Sequence, residues 1–276
     1  MFECFIVFVF GLIFGSFANV CIYRMPRNMS IVKPNSHCTN CNTFIKWYDN
    51  IPILSYILLK GKCRNCNSPI SIKYPLVEFF CGILFLSMYY LYGFTFMLIP
   101  FCIFVFSLLV TTVIDFEFKI IPDEISFMLI IVGIATSFFN LSLGETIWQR
   151  VLGSFLGFLA GGGSLFVIAY IGKLIFKQDA MGGGDIKIMA GIGAFVGWDK
   201  VLFAIFVASL FGSIVGIILI ICKKIGRKQE MPFGPYLAIA SYLTLFFSPQ
   251  VVINYLFMLE EKFSINYLFV GLQNVR

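Results

Sequence analysis

The folding options of this chain are set by apolar runs that recur along it, each close to the length that crosses a bilayer. Phe2 to Ile22 is one such run and Ile99 to Ile114 is another. A helix rises about 1.5 Å per residue, so about 20 apolar residues cover the roughly 30 Å hydrocarbon core. The composition agrees, with 59% hydrophobic and 12% charged residues and a mean hydropathy of +0.93; a soluble domain carries about 25% charged residues. The pattern predicts an all-α polytopic membrane protein with about eight transmembrane helices. The expected spans are 2–23, 74–93, 96–115, 125–142, 150–173, 186–199, 200–222 and 235–257, the sixth of them short.

Lys and Arg in such a protein record orientation, so the net charge of +6 does not indicate nucleic acid. The first run has no basic residue before it, whereas Arg24 and Arg27 follow it. That asymmetry is opposite to a cleavable signal and predicts a retained helix with its N-terminus outside. Counted from there, 15 of the 20 basic residues fall in inside segments, as the positive-inside rule expects. Asp115 and Asp185 fall on that same face.

Segment 24–73 is the one sizeable polar piece, and about 50 residues is small for a core without further support. Cys38-Thr39-Asn40-Cys41 and Cys63-Arg64-Asn65-Cys66 are C-x2-C knuckles with 21 residues between them. Four thiolates so spaced predict a tetrahedral zinc site whose binding energy folds the loop. A pair of disulfides is the competing reading, disfavoured in a reducing compartment. His37 adjoins Cys38 and is read as a bystander. Cys4, Cys21, Cys81, Cys102 and Cys222 lie in or at the ends of apolar runs and are assigned no chemistry. Gly157, Gly161, Gly162, Gly163, Gly191, Gly193 and Gly197 suit close helix packing.

Among the 14 acidic residues, two stand at the ends of apolar runs on the inside face: Asp115, and Asp185 in Met181-Gly182-Gly183-Gly184-Asp185-Ile186-Lys187. A carboxylate at a membrane edge is costly and marks a functional site. Two of them together share a proton, one polarising a peptide carbonyl while the other takes a proton from water. This is the chemistry of an aspartic protease. The competing reading has each Asp capping a helix or pairing with Lys119 or Lys187. Asp123, after Pro122, reads equally as an N-cap of the fourth span or as support for the site. Glu78 is expected to face the bundle interior, as structure or as a substrate contact. Pro232 and Pro235 are expected to keep 230–235 non-helical, beside the site.

The motif set resembles the type IV prepilin peptidases, also called prepilin leader peptidase/N-methyltransferases, over nearly the whole chain up to about residue 240. The residues that carry the resemblance are Phe14-Gly15-Ser16-Phe17-Ala18-Asn19-Val20 running into Ile22-Tyr23-Arg24-Met25-Pro26, the two knuckles, Trp47-Tyr48-Asp49-Asn50-Ile51-Pro52, Gly61-Lys62-Cys63-Arg64, Ser71-Ile72-Lys73-Tyr74-Pro75-Leu76-Val77-Glu78, Ile114-Asp115, Ile121-Pro122-Asp123, Gly182-Gly183-Gly184-Asp185-Ile186-Lys187 and Met231-Pro232-Phe233-Gly234-Pro235. The first knuckle departs from many relatives, which have proline after its first cysteine.

The resemblance implies a fold of the G-x-G-D aspartic protease type and a bacterial cytoplasmic membrane, with the active site facing the cytoplasm. It implies a first helix over 1–23, a cytoplasmic loop over 24–73, a peptidase domain over 74–257 and a tail over 258–276. Asp115 and Asp185 would be catalytic, with Gly182, Gly184, Lys187, Asp123 and Glu78 in support. Partners would be type IV prepilins or pseudopilins and the lipid bilayer. The enzyme would cut off their basic leader and methylate the new N-terminal amine from S-adenosylmethionine. No Rossmann-like glycine fingerprint is present, so the methyl-donor site is not located by sequence. The rivals are a peptidase without methyl transfer, a proton-coupled transporter with a regulatory zinc loop, and a silent scaffold.

Overall fold

The structure is a computed structural model and describes residues 1–177, 181–223 and 231–247. It is all-helical: the described residues contain no strand, only two isolated bridges in the cysteine loop. The helices are α1 (Phe2–Arg24), α2 (Leu54–Leu58), α3 (Lys73–Tyr92), α4 (Leu98–Phe118), α5 (Asp123–Thr136), α6 (Ile147–Phe176), α7 (Gly183–Val196), α8 (Trp198–Ile221) and α9 (Gly234–Leu243). Five of them, α1, α3, α4, α6 and α8, are long and apolar enough to cross a membrane.

The other expected spans are shorter. The 14 residues of α5 and of α7 make about 21 Å of helix, less than the roughly 30 Å core. After α5 the chain continues through two 3-10 turns, Ser137–Phe139 and Leu141–Leu143, in place of the helix expected to 142. The eighth span was expected to 257, and everything past residue 247 lies outside the described residues. Asp179, Glu230 and the basic residues Lys224, Arg227 and Lys228 lie outside them as well.

Helix ends follow local chemistry. The Thr146 hydroxyl accepts from Gln149 N–H at 3.3 Å and the Gln149 side chain accepts from Thr146 N–H at 3.0 Å. That capping box starts α6 at Ile147, three residues before the expected 150. α7 ends at Gly197, whose φ of +89° is a conformation that favours glycine. Asn140 Nδ2 donates to Phe195 O at 2.9 Å and Ser154 Oγ to Ala194 O at 2.8 Å, satisfying carbonyls at that buried end. Pro235, expected outside a helix, lies in the first turn of α9. Proline is tolerated there because the first N–H groups have no intrahelical partner.

α1 packs along α3, α7 along both α6 and α5, and α9 against α4 and α8. From Ile188 to Val196 every residue of α7 is buried, so this helix is the core of the bundle. Its approach to α6 needs glycine on both sides. A Cβ built on Gly157 would overlap the Gly193 carbonyl, and one on Gly193 would overlap the Gly157 carbonyl. Small residues of this kind let helices in a membrane meet backbone to backbone. Gly163, grouped with them by sequence, has nothing within 4 Å of its Cβ position.

Candidate active site and cysteine cluster

α4 descends to Asp115 in its last turns, and α7 starts two residues before Asp185. The two helices are registered at their far ends by aromatic rings. Phe195 of α7 sits against Phe104 and Phe101 of α4, with centroids 5.0 and 5.6 Å apart. Phe104 lies 11 residues before Asp115 and Phe195 lies 10 residues after Asp185. At 1.5 Å per residue these offsets are about 16 and 15 Å, so packing the rings sets the carboxylates level.

Both carboxylates are buried, Asp115 at 6% exposure and Asp185 at 9%. They are close enough to interact electrostatically. Neither forms an ion pair among the described residues: Lys187 Nζ instead reaches both oxygens of Asp123 at 2.8 Å. The reading of Asp123 as an N-cap is overturned. Pro122 occupies that position, and Asp123 is the first helical residue with no capping hydrogen bond. Its pair with Lys187 ties the start of α5 to the start of α7.

The third participant was not identified from sequence. Gly234 N–H, at the start of α9, donates to Asp115 Oδ2 at 2.9 Å. A Cβ at residue 234 would stand 2.8 Å from that oxygen, so the approach requires glycine. The glycine between Phe233 and Pro235 was the visible signal, but which carboxylate it would meet was not. Gly184 has a comparable constraint, since a Cβ there would come within 2.8 Å of Ile121 Cβ.

Glu78 is buried on α3, and its Oε2 accepts from Ile53 N–H at 2.7 Å. It therefore anchors the 24–73 loop to the helices. Lys73 at the start of α3 pairs with Glu117 near the end of α4 at 2.6 Å. The loop thus emerges at the end of the bundle that carries Asp115.

Within the loop the two knuckles are near copies. Cys38 N–H bonds Thr43 O at 2.9 Å and Cys63 N–H bonds Ser68 O at 2.9 Å; Asn42 and Asn67 both take positive φ. The four Sγ atoms of Cys38, Cys41, Cys63 and Cys66 lie within 4.8 Å of one another and could hold a metal ion. The Cys38–Cys66 and Cys41–Cys63 sulfurs are 3.9 and 4.0 Å apart, so they are not disulfides. The Ser68 hydroxyl and backbone pull the Cys66 thiol down to about 6, toward the thiolate that a metal requires. His37 stands outside the cluster, its Nδ1 3.2 Å from Asn35 O. Arg64 forks onto Asp49, at 2.6 and 2.8 Å, and holds that carboxyl below the usual range.

An all-helical membrane bundle with two aspartates at one end defines the class, and the comparisons give the family. Residues 9–92 match the bacterial peptidase A24 N-terminal domain and residues 102–217 match the type IV leader peptidase family. The chain is 32% identical to a prepilin leader peptidase/N-methyltransferase of Stutzerimonas stutzeri, over 90% of this chain and 92% of that one. It is 32% identical to one of Pseudomonas aeruginosa, over 89% and 91%. With one of Myxococcus xanthus it shares 37% identity over 81% of this chain and 65% of the relative. No solved structure matches. The chain belongs to the type IV leader peptidase family.

Proposed function

We propose that this protein is a prepilin leader peptidase/N-methyltransferase, cutting the basic leader from type IV prepilins or pseudopilins and methylating the new N-terminal amine. The observation that carries the reading is the buried Asp115–Asp185 pair in a chain of this family. The two carboxylates share one proton. The protonated member polarises the scissile carbonyl while the ionised one takes a proton from water. Asp115 Oδ2 accepts the Gly234 N–H, which favours the ionised form of that oxygen. The shared proton is accordingly favoured on Asp115 Oδ1 or on Asp185. Gly184 and the Asp123–Lys187 pair position α7; Gly182, whose Cβ would sit 3.3 Å from Asp185 Oδ2, leaves that carboxylate room.

The cysteine cluster fits zinc. A Zn–S bond of about 2.3 Å in a tetrahedron sets sulfur–sulfur edges at about 3.8 Å; two edges here are 3.9 and 4.0 Å and all six lie within 4.8 Å. Cys38, Cys41, Cys63 and Cys66 would hold it, and its binding would stabilise the loop. S-adenosylmethionine supplies the methyl group. The described residues form no strand and so offer no glycine-rich strand–turn–helix cradle, and no residue is assigned to the donor. The organisation follows the sequence: first helix 1–23, loop 24–73, peptidase domain 74–257, tail 258–276. The N-terminus lies outside, and the dyad faces the cytoplasm in a bacterial inner membrane.

The test is cleavage of a prepilin in nanodiscs by the intact protein, Asp115→Asn and Asp185→Asn. Cleavage by the intact protein alone, with both variants folded, is expected. Near-normal cleavage by either variant removes that residue from the dyad.

A further inference from the structure

The polar loop carries an apolar face that the leader peptidase reading does not use. In α2, Leu54, Ile57 and Leu58 share one side at helical spacing and all are exposed, Leu58 at 78%. The other side faces the loop: Ser55 is buried and its hydroxyl donates to Tyr48 O at 3.2 Å, and Tyr56 is half-buried with its ring against Gly61. A helix folded against its own domain turns its apolar stripe inward, whereas here Leu54, Ile57 and Leu58 are left uncovered. Trp47 stands beside it at 81% exposure, edge-on to Tyr48.

Three further observations identify what covers this face. First, Ile53, directly before α2, is bonded through its N–H to Glu78 on membrane helix α3, which fixes the height of α2 at the end of the bundle. Second, Trp47 and Leu54 at one edge of the face meet the outer side of the spans. A cleft of about 1100 Å³ is lined by Phe8, Leu12 and Phe17 of α1, Phe79 of α3, and Ile51 and Leu54 of the loop. Third, Lys46, Lys60 and Lys62, close to Trp47 and Leu58 in the chain, are all exposed. An apolar face rimmed by lysines is the make-up of an element that lies in the interface of an anionic membrane.

We propose that Trp47 and α2 dock into the anionic lipid surface at the end of the bundle where the loop emerges, with acyl chains filling the cleft between α1 and the loop. The cysteine module then lies against the membrane beside the end that carries Asp115 and does not swing free in water. Lipid is the occupant because the cleft opens along the membrane-spanning part of α1 and the rim is cationic.

The experiment uses the full chain carrying Trp148→Phe and Trp198→Phe, which leaves Trp47 as the sole tryptophan, in nanodiscs containing phosphatidylglycerol. Trp47 emission should be lost to brominated acyl chains and be little affected by aqueous iodide. Adding Leu54→Glu with Leu58→Glu should reverse both responses. The first measurement leaves the loop unaltered, so it stands even if the double variant does not fold. Ready quenching by iodide with none by brominated lipid overturns the proposal. So does iodide quenching that disappears only when a prepilin peptide is added, which would assign the face to substrate.

Discussion

The two candidate centres are built in opposite ways. Asp115 and Asp185 are 70 residues apart in the chain and meet only because α4, α7 and α9 pack. The four cysteines span 28 positions, and two local turns bring them together at the surface. A site assembled by packing is held from several sides, so small displacements matter there. A site assembled by local turns loses its order as a unit and leaves the bundle behind. The two are joined through few contacts, among them Ile53–Glu78 and Lys73–Glu117.

Metal removal tests that independence most strongly. Structural zinc contributes about 10–16 kcal/mol in zinc-finger peptides, so Cys38→Ser with Cys66→Ser should release zinc and open the 24–73 loop to protease. Leader cleavage should persist; if it disappears together with the loop, the two centres are one unit. At the other centre, Asp115→Asn or Asp185→Asn should lower the cleavage rate by on the order of 10²–10⁴, with zinc content, read by elemental analysis, unchanged.

Gly234→Ala separates position from chemistry. It retains both aspartates but puts a Cβ 2.8 Å from Asp115 Oδ2. A displacement of that kind costs about 10²-fold, read as a lower rate with the helical circular dichroism intact. A rate within error of the intact protein would show that α9 does not set the Asp115 carboxylate. Glu78→Ala sharpens the junction. It leaves Ile53 N–H unpaired, at a cost of about 1–3 kcal/mol, and should raise protease sensitivity near residue 53 more than it lowers cleavage. The smallest effect is expected for Lys187→Met. Its partly exposed pair with Asp123 contributes about 0.2–1 kcal/mol, so melting should shift only slightly. A large loss of stability would mean that the pair acts as though it were buried.

By itself the sequence determined the helical membrane class, because lipid leaves no other way to satisfy backbone over apolar runs of that length. It also marked the four cysteines, whose chemistry depends on local spacing. The two aspartates could be singled out, since a carboxylate at the end of an apolar run is conspicuous. Tertiary structure decided what surrounds them. Asp123 was read as a possible cap, and it pairs with Lys187 from another helix. Glu78 was expected to face the bundle interior, as structure or as a substrate contact, and it accepts a backbone N–H from the loop. Gly234 looked like part of a break, and its N–H reaches Asp115 from 119 residues away. Each of these depends on which helix end lies beside which. Periodicity and composition do not encode that; it was settled by packing between elements distant in the chain, α5 against α7, α9 against α4 and the loop against α3.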